Sequence, residues 1–147
     1  MTETSGPVFS QFNVVVADMA ASLAFYRRLG LDPRADEEGA HAEASLPGGL
    51  SIEWDGAEFA RLWDSGSRGP DGGSIVLGFG VPTRQAVDEK YAELTAAGYQ
   101  GRQRPYDAFW GSRYAIVDDP DGNGVGLMSP MDDARRSWPP SPAPAGP

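Results

Sequence analysis

Residues 12–33 read FNVVVADMAASLAFYRRLGLDP and predict a strand that passes directly into a helix. Apolar side chains alternate along Gln11–Ala17, as they do in a strand that buries one face. Asp18 supplies an N-cap oxygen, and apolar residues then recur at helical spacing as far as Gly30. A glycine can adopt the left-handed conformation that ends a helix. The stretch therefore predicts a β-strand and an amphipathic helix in immediate succession.

Two further strands complete the first half of the pattern. They are predicted at His41–Leu46 and Leu50–Asp55. The turn Pro47-Gly48-Gly49 joins them, because proline and glycine favour the backbone angles of a tight hairpin. One more short strand is expected near Leu31–Arg34. The first half is thus predicted to have the order βαβββ.

The second half repeats this order. A strand at Ser74–Val81 precedes a helix that ends at Gly98, and strands at Arg113–Val117 and Gly124–Met128 follow. A short strand is again expected before these two, near Tyr99–Arg104. The sequence therefore predicts an α+β protein built from two βαβββ modules.

The predicted boundaries describe one domain at residues 9–131. Its parts are a first module at 9–56, a linker at 57–73 that includes a short helix, and a second module at 74–131. The first residues, 1–8, are expected to be flexible. The end of the chain, residues 132–147, is rich in proline and is expected to form an extended tail, since proline lacks the backbone donor that helices and sheets need.

Composition excludes several classes of function. The chain has 147 residues and a net charge of −9, which opposes binding to the nucleic-acid backbone. It has no cysteine, so disulfides and thiolate zinc sites are excluded, and His41 is its one histidine. No apolar run is long enough to span a membrane, and the N-terminus lacks the profile of a signal peptide. We expect a soluble, cytoplasmic protein that binds neither nucleic acid nor membrane.

Strand alternation divides the predicted side chains between two sheet faces. One face is apolar and is expected to pack on the helices; it includes Phe12, Val14, Val16, Ile75, Leu77, Phe79, Val125 and Leu127. The other mixes polar groups with glycines, and it includes Gln11, Asn13, His41, Glu43, Glu53, Asp55, Gly78, Gly80, Gly124 and Gly126. A concave face that holds a ligand would account for this mixture. A sheet face wetted by solvent, with a few bulges, would account for it equally well.

Residues 12–33, the turn DPDGN at Asp119–Asn123 and the strand that follows it resemble the vicinal oxygen chelate superfamily, the glyoxalase, bleomycin-resistance and dioxygenase proteins. The resemblance covers the chain from Phe9 to Pro130. It implies that the two modules curl into a cup-shaped sheet. It also implies a homodimer in which modules of two chains are paired.

Metal-dependent members of this family hold their ion with four ligands, at positions that match Gln11, Glu53, Val76 and Gly126 of this chain. Valine and glycine side chains offer no ligand atom. One amide and one carboxylate are too few for a divalent cation bound by protein oxygens. The resemblance therefore implies a site with no metal and no cofactor, and it disfavours glyoxalase and dioxygenase activity.

Within the family, the chain is most similar to drug-sequestering resistance proteins of the mitomycin-binding type. The similar stretches are VVVADMAASLAFYRRLG at Val14–Gly30, Glu53-Trp54-Asp55, and VDEKYAEL, AGY and FWGSRYAIVDDPDGN within Val87–Asn123. This resemblance implies non-catalytic capture of a planar aromatic antibiotic in the cup. It thus implies a self-resistance protein whose partner is a small aromatic natural product.

The candidate ligand-binding residues follow from that resemblance and from the polar sheet face. Trp110 is the stacking candidate, because Gly111 beside it would leave one ring face free. The other candidates are expected to line the cup: His41, Glu53, Trp54, Tyr106, Arg113, Gln11 and Asn13. Trp54 would reach the cup only if a bulge turned it toward the face that carries Glu53.

Two further functions stay open. The chain could be a metal-independent isomerase or cyclase of natural-product metabolism, in which Glu53 and His41 act as the acid/base pair. It could also be a metal-dependent glyoxalase or dioxygenase, which would carry a stoichiometric metal ion. We expect no such ion and no catalytic residue, and therefore a binding protein rather than an enzyme.

Overall fold

The computed structural model describes residues 11–63, 67, 69–71 and 75–147, and it divides the chain into two units. The first half ends at Pro70, and the second half begins at Asp71. Each half contains one four-stranded sheet. The predicted α+β class and the repeated order of elements are confirmed.

The described residues of the first half form four strands and two α-helices. They are β1 Gln11–Val16, α1 Met19–Arg28, β2 Arg34–Ala35, β3 His41–Ser45, β4 Ser51–Gly56 and α2 Ala57–Trp63. A 3₁₀ turn at Pro47–Gly49 joins β3 to β4. The strand order is β1-β4-β3-β2, with β1 parallel to β4 and the other pairs antiparallel.

The ends of α1 follow the sequence signals. The side chain of Asp18 accepts a hydrogen bond of 3.0 Å from the backbone N–H of Ala21, which satisfies a donor of the first turn. Beyond the last turn, Gly30 has a φ of +89°, where a residue with a β-carbon would be strained. The predicted strand-to-helix passage is confirmed.

The core of the first half lies between α1 and one face of the sheet. Trp54, Tyr26 and Val16 are all fully or almost fully buried there, and the rings of Tyr26 and Trp54 have centroids 5.2 Å apart. The opposite face of this sheet carries the polar residues of β1, β3 and β4.

The described residues of the second half form four strands and one long α-helix. They are β5 Val76–Gly80, α3 Arg84–Ala96, β6 Gly101–Asp107, β7 Arg113–Asp118 and β8 Gly124–Met128. The strand order is β5-β8-β7-β6, with β5 parallel to β8. The buried apolar side chains of α3 and the sheet are Val87, Leu94, Ala115, Val117, Val125 and Leu127.

Three regions differ from the sequence expectation or lie outside the described residues. Strand β6 extends to Asp107, beyond the short strand predicted near Tyr99–Arg104, and it accepts Pro105 because it is an edge strand with an irregular register between Gln103 and Tyr106. Ile75, predicted in the core, is exposed because it precedes β5. Most of the predicted linker loop at 65–73, and the predicted strand start at Ser74, lie outside the described residues.

The proline-rich tail runs beside the edge strand β6. The Gln103 amide donates to the carbonyl oxygen of Pro144 over 3.0 Å, and the backbone N–H of Arg104 donates to that of Gly146 over 3.1 Å. These bonds satisfy groups that an edge strand would otherwise expose. No helix in the described part of the chain is long and apolar enough to cross a membrane.

Candidate functional site

The polar face of the first sheet is formed by Gln11, Asn13, His41, Glu43, Glu53 and Asp55. Strand register brings these residues together, since Asn13 lies beside Glu53, and His41 lies beside Asp55. Glu43 of β3 is likewise the direct neighbour of Glu53 of β4. Strands β3 and β4 therefore place one imidazole and three carboxylates on one surface, and β1 adds the amides of Gln11 and Asn13 beside them.

A chain of hydrogen bonds fixes the imidazole of His41. Its Nδ1 lies 2.5 Å from Oδ1 of Asp55, whose side chain is only 1% exposed. The Asn13 amide donates to the other oxygen of Asp55 over 3.0 Å, and the Gln11 amide donates to Oδ1 of Asn13 over 2.8 Å. Because a carboxylate only accepts, Nδ1 carries the proton of this bond, and Nε2 is left for other partners.

The free side of the imidazole faces two more carboxylates. Nε2 of His41 lies 3.6 Å from Oε1 of Glu53 and 4.0 Å from Oε2 of Glu43. The hydrogen bond to Asp55 raises the pKa of His41; burial opposes this, and the charges of Asp55, Glu53 and Glu43 add to it. The polar face therefore favours a positive charge at His41.

Helix α2 adds an apolar wall to this polar face. The ring of Phe59 lies 5.4 Å from that of His41, at an angle of 33°. The cleft between them has a volume of about 460 Å³, and its lining consists of Gln11, Asn13, His41, Glu53, Asp55, Phe59 and Trp63. A cleft of this size is in the range that holds small organic ligands.

Four predicted ligand-binding residues meet in this cleft, namely Gln11, Asn13, His41 and Glu53. Asp55 is predicted on the same face but is not among the predicted site residues. The cleft is also lined by two aromatic residues outside that predicted set, Phe59 and Trp63. Their spacing of four residues on a short helix directly after β4 is the signal that could have found them, since it puts both on one helix face.

Trp54 does not line the cleft, contrary to the sequence expectation. It is fully buried and packs against Tyr26 on the helix side of the sheet. The pairing of β3 with β4 continues without a shift through this position, so no bulge turns the ring toward Glu53.

The second half holds a separate group of aromatic rings. Tyr114 of β7 has ring centroids 5.3 Å from Trp110 and 6.2 Å from Tyr106, and both pairs meet edge to face. Burial raises the pKa of Tyr114 and of Tyr106, so both phenols are neutral donors at ordinary pH. Trp110 and Tyr106 are thus both partly exposed, and each ring contacts Tyr114 within the second half.

Gly111 has a structural role. Its φ is +97°, and a β-carbon there would collide with the carbonyl oxygen of Asp132. The space beside this glycine is therefore filled by the segment that begins the tail.

Arg113, which the sequence analysis expects to line the cup, forms ion pairs on the helix side of the second sheet. Its guanidinium pairs with Asp88 of α3 over 2.9 Å and with Asp107 over 3.2 Å. Strand alternation places it with Ala115 and not with Tyr114, so it lies on the helix side of the sheet. Arg113 therefore joins β7 to α3, and it does not share a face with the aromatic cluster.

The glycines of the second sheet differ from one another. Oη of Tyr114 would lie 2.8 Å from a β-carbon at Gly126, and a guanidinium nitrogen of Arg102 would lie 2.6 Å from one at Gly124. Side chains of the same half thus cover both positions. No described atom lies within 4 Å of a β-carbon placed at Gly78 or Gly80, so this part of the face is open.

The model of the Glyoxalase/Bleomycin resistance protein/Dioxygenase superfamily matches residues 8–127. The chain belongs to this superfamily, as its resemblance had indicated. No curated protein sequence matches the chain significantly.

Solved structures of the same fold are similar over most of the chain. A glyoxalase-related enzyme from Fulvimarina pelagi has a TM-score of 0.75 at 20% identity, covering 93% of this chain and 99% of that one. A glyoxalase/bleomycin resistance protein/dioxygenase from Nocardioides has a TM-score of 0.68 at 21% identity, covering 88% and 87%. A lactoylglutathione lyase from Agrobacterium tumefaciens has a TM-score of 0.63 at 18% identity, covering 86% and 96%. At these identities the likeness establishes the fold.

The four ligand positions of the metal-dependent family members do not fit a metal here. Val76 has no donor atom, and the tyrosine ring of Tyr114 covers Gly126. The second half therefore supplies no ligand at these two positions. No chemical step can be assigned to a metal held by that set of residues.

Proposed function

We propose that this protein binds an aromatic natural product and protects the cell by holding it, without chemical conversion. The observation that carries the proposal is the cleft of the first half, in which the apolar wall of Phe59 and Trp63 faces the polar groups of His41 and Glu53. Such a site binds a flat molecule through its apolar body and orients it through a few polar contacts.

The charged residues of the cleft indicate which ligand charge it favours. Glu53 is 16% exposed and lies 3.6 Å from the imidazole of His41. Among the described residues that line the cleft, none is a lysine or arginine. A neutral or cationic aromatic compound is therefore favoured over an anionic one.

Within the second half, Trp110 and Tyr106 remain proposed aromatic contacts for a ligand. The cellular setting is the cytoplasm, and the working unit is a homodimer. Capture is stoichiometric, so protection would follow the amount of protein and not its turnover. The two ligand positions that Val76 and Gly126 leave empty support binding without the metal chemistry of other family members.

A panel of planar aromatic antibiotics provides the test. Each compound is added to protein in chelator-containing buffer while the melting temperature and tryptophan fluorescence are followed. A compound that binds the folded state raises the melting temperature by mass action. We expect Phe59→Ala to remove the shift, and Leu62→Ala, which alters an exposed residue of the same helix outside the cleft, to preserve it. A panel without any binder, or equal effects of both variants, would contradict the proposal.

The hydrogen-bonded group at His41 favours a second candidate function, metal-independent acid/base catalysis. A buried Asp55 that orients an imidazole, whose Nε2 faces Glu53, is an arrangement suited to moving a proton to or from a bound molecule. The two functions differ in the fate of the ligand. A bound compound recovered chemically intact after long incubation supports capture, and a converted compound supports catalysis.

A further inference from the structure

We propose that His41, Glu43 and Glu53 form a binding site for one divalent transition-metal ion within the first half. Of these residues, only Glu53 occupies a family ligand position; His41 and Glu43 lie on the neighbouring strand β3. The site does not depend on the sequestering function and would exist whether or not an aromatic compound binds.

The donor atoms already lie close together. One ligand atom from each residue lies within 4.8 Å of the other two, with Nε2 of His41 3.6 Å from Oε1 of Glu53. A metal bound at about 2.0–2.2 Å by nitrogen and oxygen keeps its donors about 3–4 Å apart. The side chain of Glu43 is 66% exposed and 4.0 Å from Nε2, so a rotation at the surface brings it into range.

The environment of His41 is that of a metal ligand. Imidazole ligands usually donate their second N–H to a carboxylate, which fixes the ring and strengthens the other nitrogen as a donor. Here the buried Asp55 accepts from Nδ1, and Asn13 holds Asp55 in place through its second oxygen. Nε2 is thus aimed at the two glutamates by groups that are themselves fixed.

The donor set selects the class of ion. One imidazole and two carboxylates suit Zn²⁺, Co²⁺, Fe²⁺ or Mn²⁺, whereas Mg²⁺ and Ca²⁺ prefer oxygen alone. Two carboxylates balance the charge of the ion, and among the described lining residues no lysine or arginine repels it. Three protein ligands would leave coordination positions for water or for a donor atom of a bound compound.

The test uses tag-free protein, in which His41 is the one imidazole. Zn²⁺ is titrated by calorimetry, Co²⁺ by visible absorption, and the imidazole signals of His41 are followed by NMR. We expect one Zn²⁺ per chain, a Co²⁺ spectrum of a nitrogen- and oxygen-liganded ion, and a shift of the Nε2 signal. Mg²⁺ at the same concentration should leave the signal in place.

Matched variants separate this site from weak binding to an acidic surface. Glu43→Gln removes an exposed ligand and should weaken Zn²⁺ binding by about tenfold or more, since changes even behind the ligands cost about 10–100-fold. Glu38→Gln removes another exposed carboxylate of the same half, which is not part of the cluster, and should change nothing. Equal losses in the two variants, a His41 signal that Zn²⁺ leaves unmoved, or only millimolar affinity would overturn the proposal. Aromatic-ligand titrations in chelator report on the proposed function separately.

Discussion

The two halves repeat one order of strands and helix, but their sheets present different side chains on the face opposite the helix. The first sheet carries an imidazole and three carboxylates, which α2 flanks with Phe59 and Trp63. The second carries glycines, two of them covered by Arg102 and Tyr114. One backbone plan thus supports a charged cleft in one half and an aromatic cluster in the other. Strand alternation explains how this is possible, because the buried face can be kept while the opposite face varies.

The largest expected effect concerns the two tryptophans of the first half. Trp54→Ala should lower the free energy of unfolding by about 3–5 kcal/mol, because it leaves a cavity beside Tyr26 in the core. Trp63→Ala, which changes an exposed ring of the cleft, should stay within about 0.5 kcal/mol of the parent. Urea unfolding followed by circular dichroism measures both. A stable Trp54→Ala variant would show that this ring does not support the sheet.

Glycines of the second half provide the next comparison. Gly111→Ala should cost about 1–3 kcal/mol, since φ is +97° and the added β-carbon meets Asp132. Gly80→Ala should cost much less, because no described atom lies within 4 Å of its β-carbon position. Melting temperatures of the two variants test the distinction. Equal losses would contradict the assignment of Gly111 to structure and of Gly80 to open space.

A pH prediction concerns His41 in metal-free protein. Its raised pKa means that protonated His41 stabilises the folded state. This contribution is complete below the unfolded pKa of about 6.5 and is lost as the pH rises through the higher folded pKa. NMR titration of the single imidazole should give a pKa above the ordinary value in the parent and a lower one in Asp55→Asn. An unchanged pKa in that variant would contradict the role of Asp55.

The smallest effect is expected at Asp107 in the second half. Burial opposes its ionisation, but hydrogen bonds from Arg84 and Arg113 outweigh this and lower its pKa. Because the side chain is largely exposed and screened by water, Asp107→Asn should cost less than about 1 kcal/mol. Ionised Asp107 contributes to the free energy of unfolding above its unfolded pKa of about 3.9. This contribution is lost as the pH falls through the lower pKa that Asp107 has in the folded state. Denaturation curves at pH 7 and pH 3 should therefore differ less in the variant.

Local patterns were sufficient to predict most elements of this fold. Alternation placed Gln11, Asn13, His41 and Glu53 on one face, and Asp18 and Gly30 marked the ends of α1. These features depend on neighbours in sequence. The extension of β6 through Pro105 was missed because it depends on the edge position of that strand and on its bulged register.

The candidate site was predicted less completely, for a physical reason. The register of β3 against β4 places Glu43 beside Glu53. The packing of α2 places Phe59 beside His41. Neither is encoded in residue spacing alone. The family ligand positions in the second half are Val76 and Gly126, which carry no donor atom, whereas the donors His41 and Glu43 lie on β3, outside the family ligand positions.

The most direct test of the proposed binding site follows the imidazole signal of His41 during titration with an aromatic compound that raises the melting temperature, in chelator-containing buffer. If the first-half cleft is the binding site, the signal shifts in proportion to occupancy, and Phe59→Ala weakens binding while Leu62→Ala does not. A compound that stabilises the protein but leaves the His41 signal unmoved, with equal affinity in both variants, would place the binding site elsewhere.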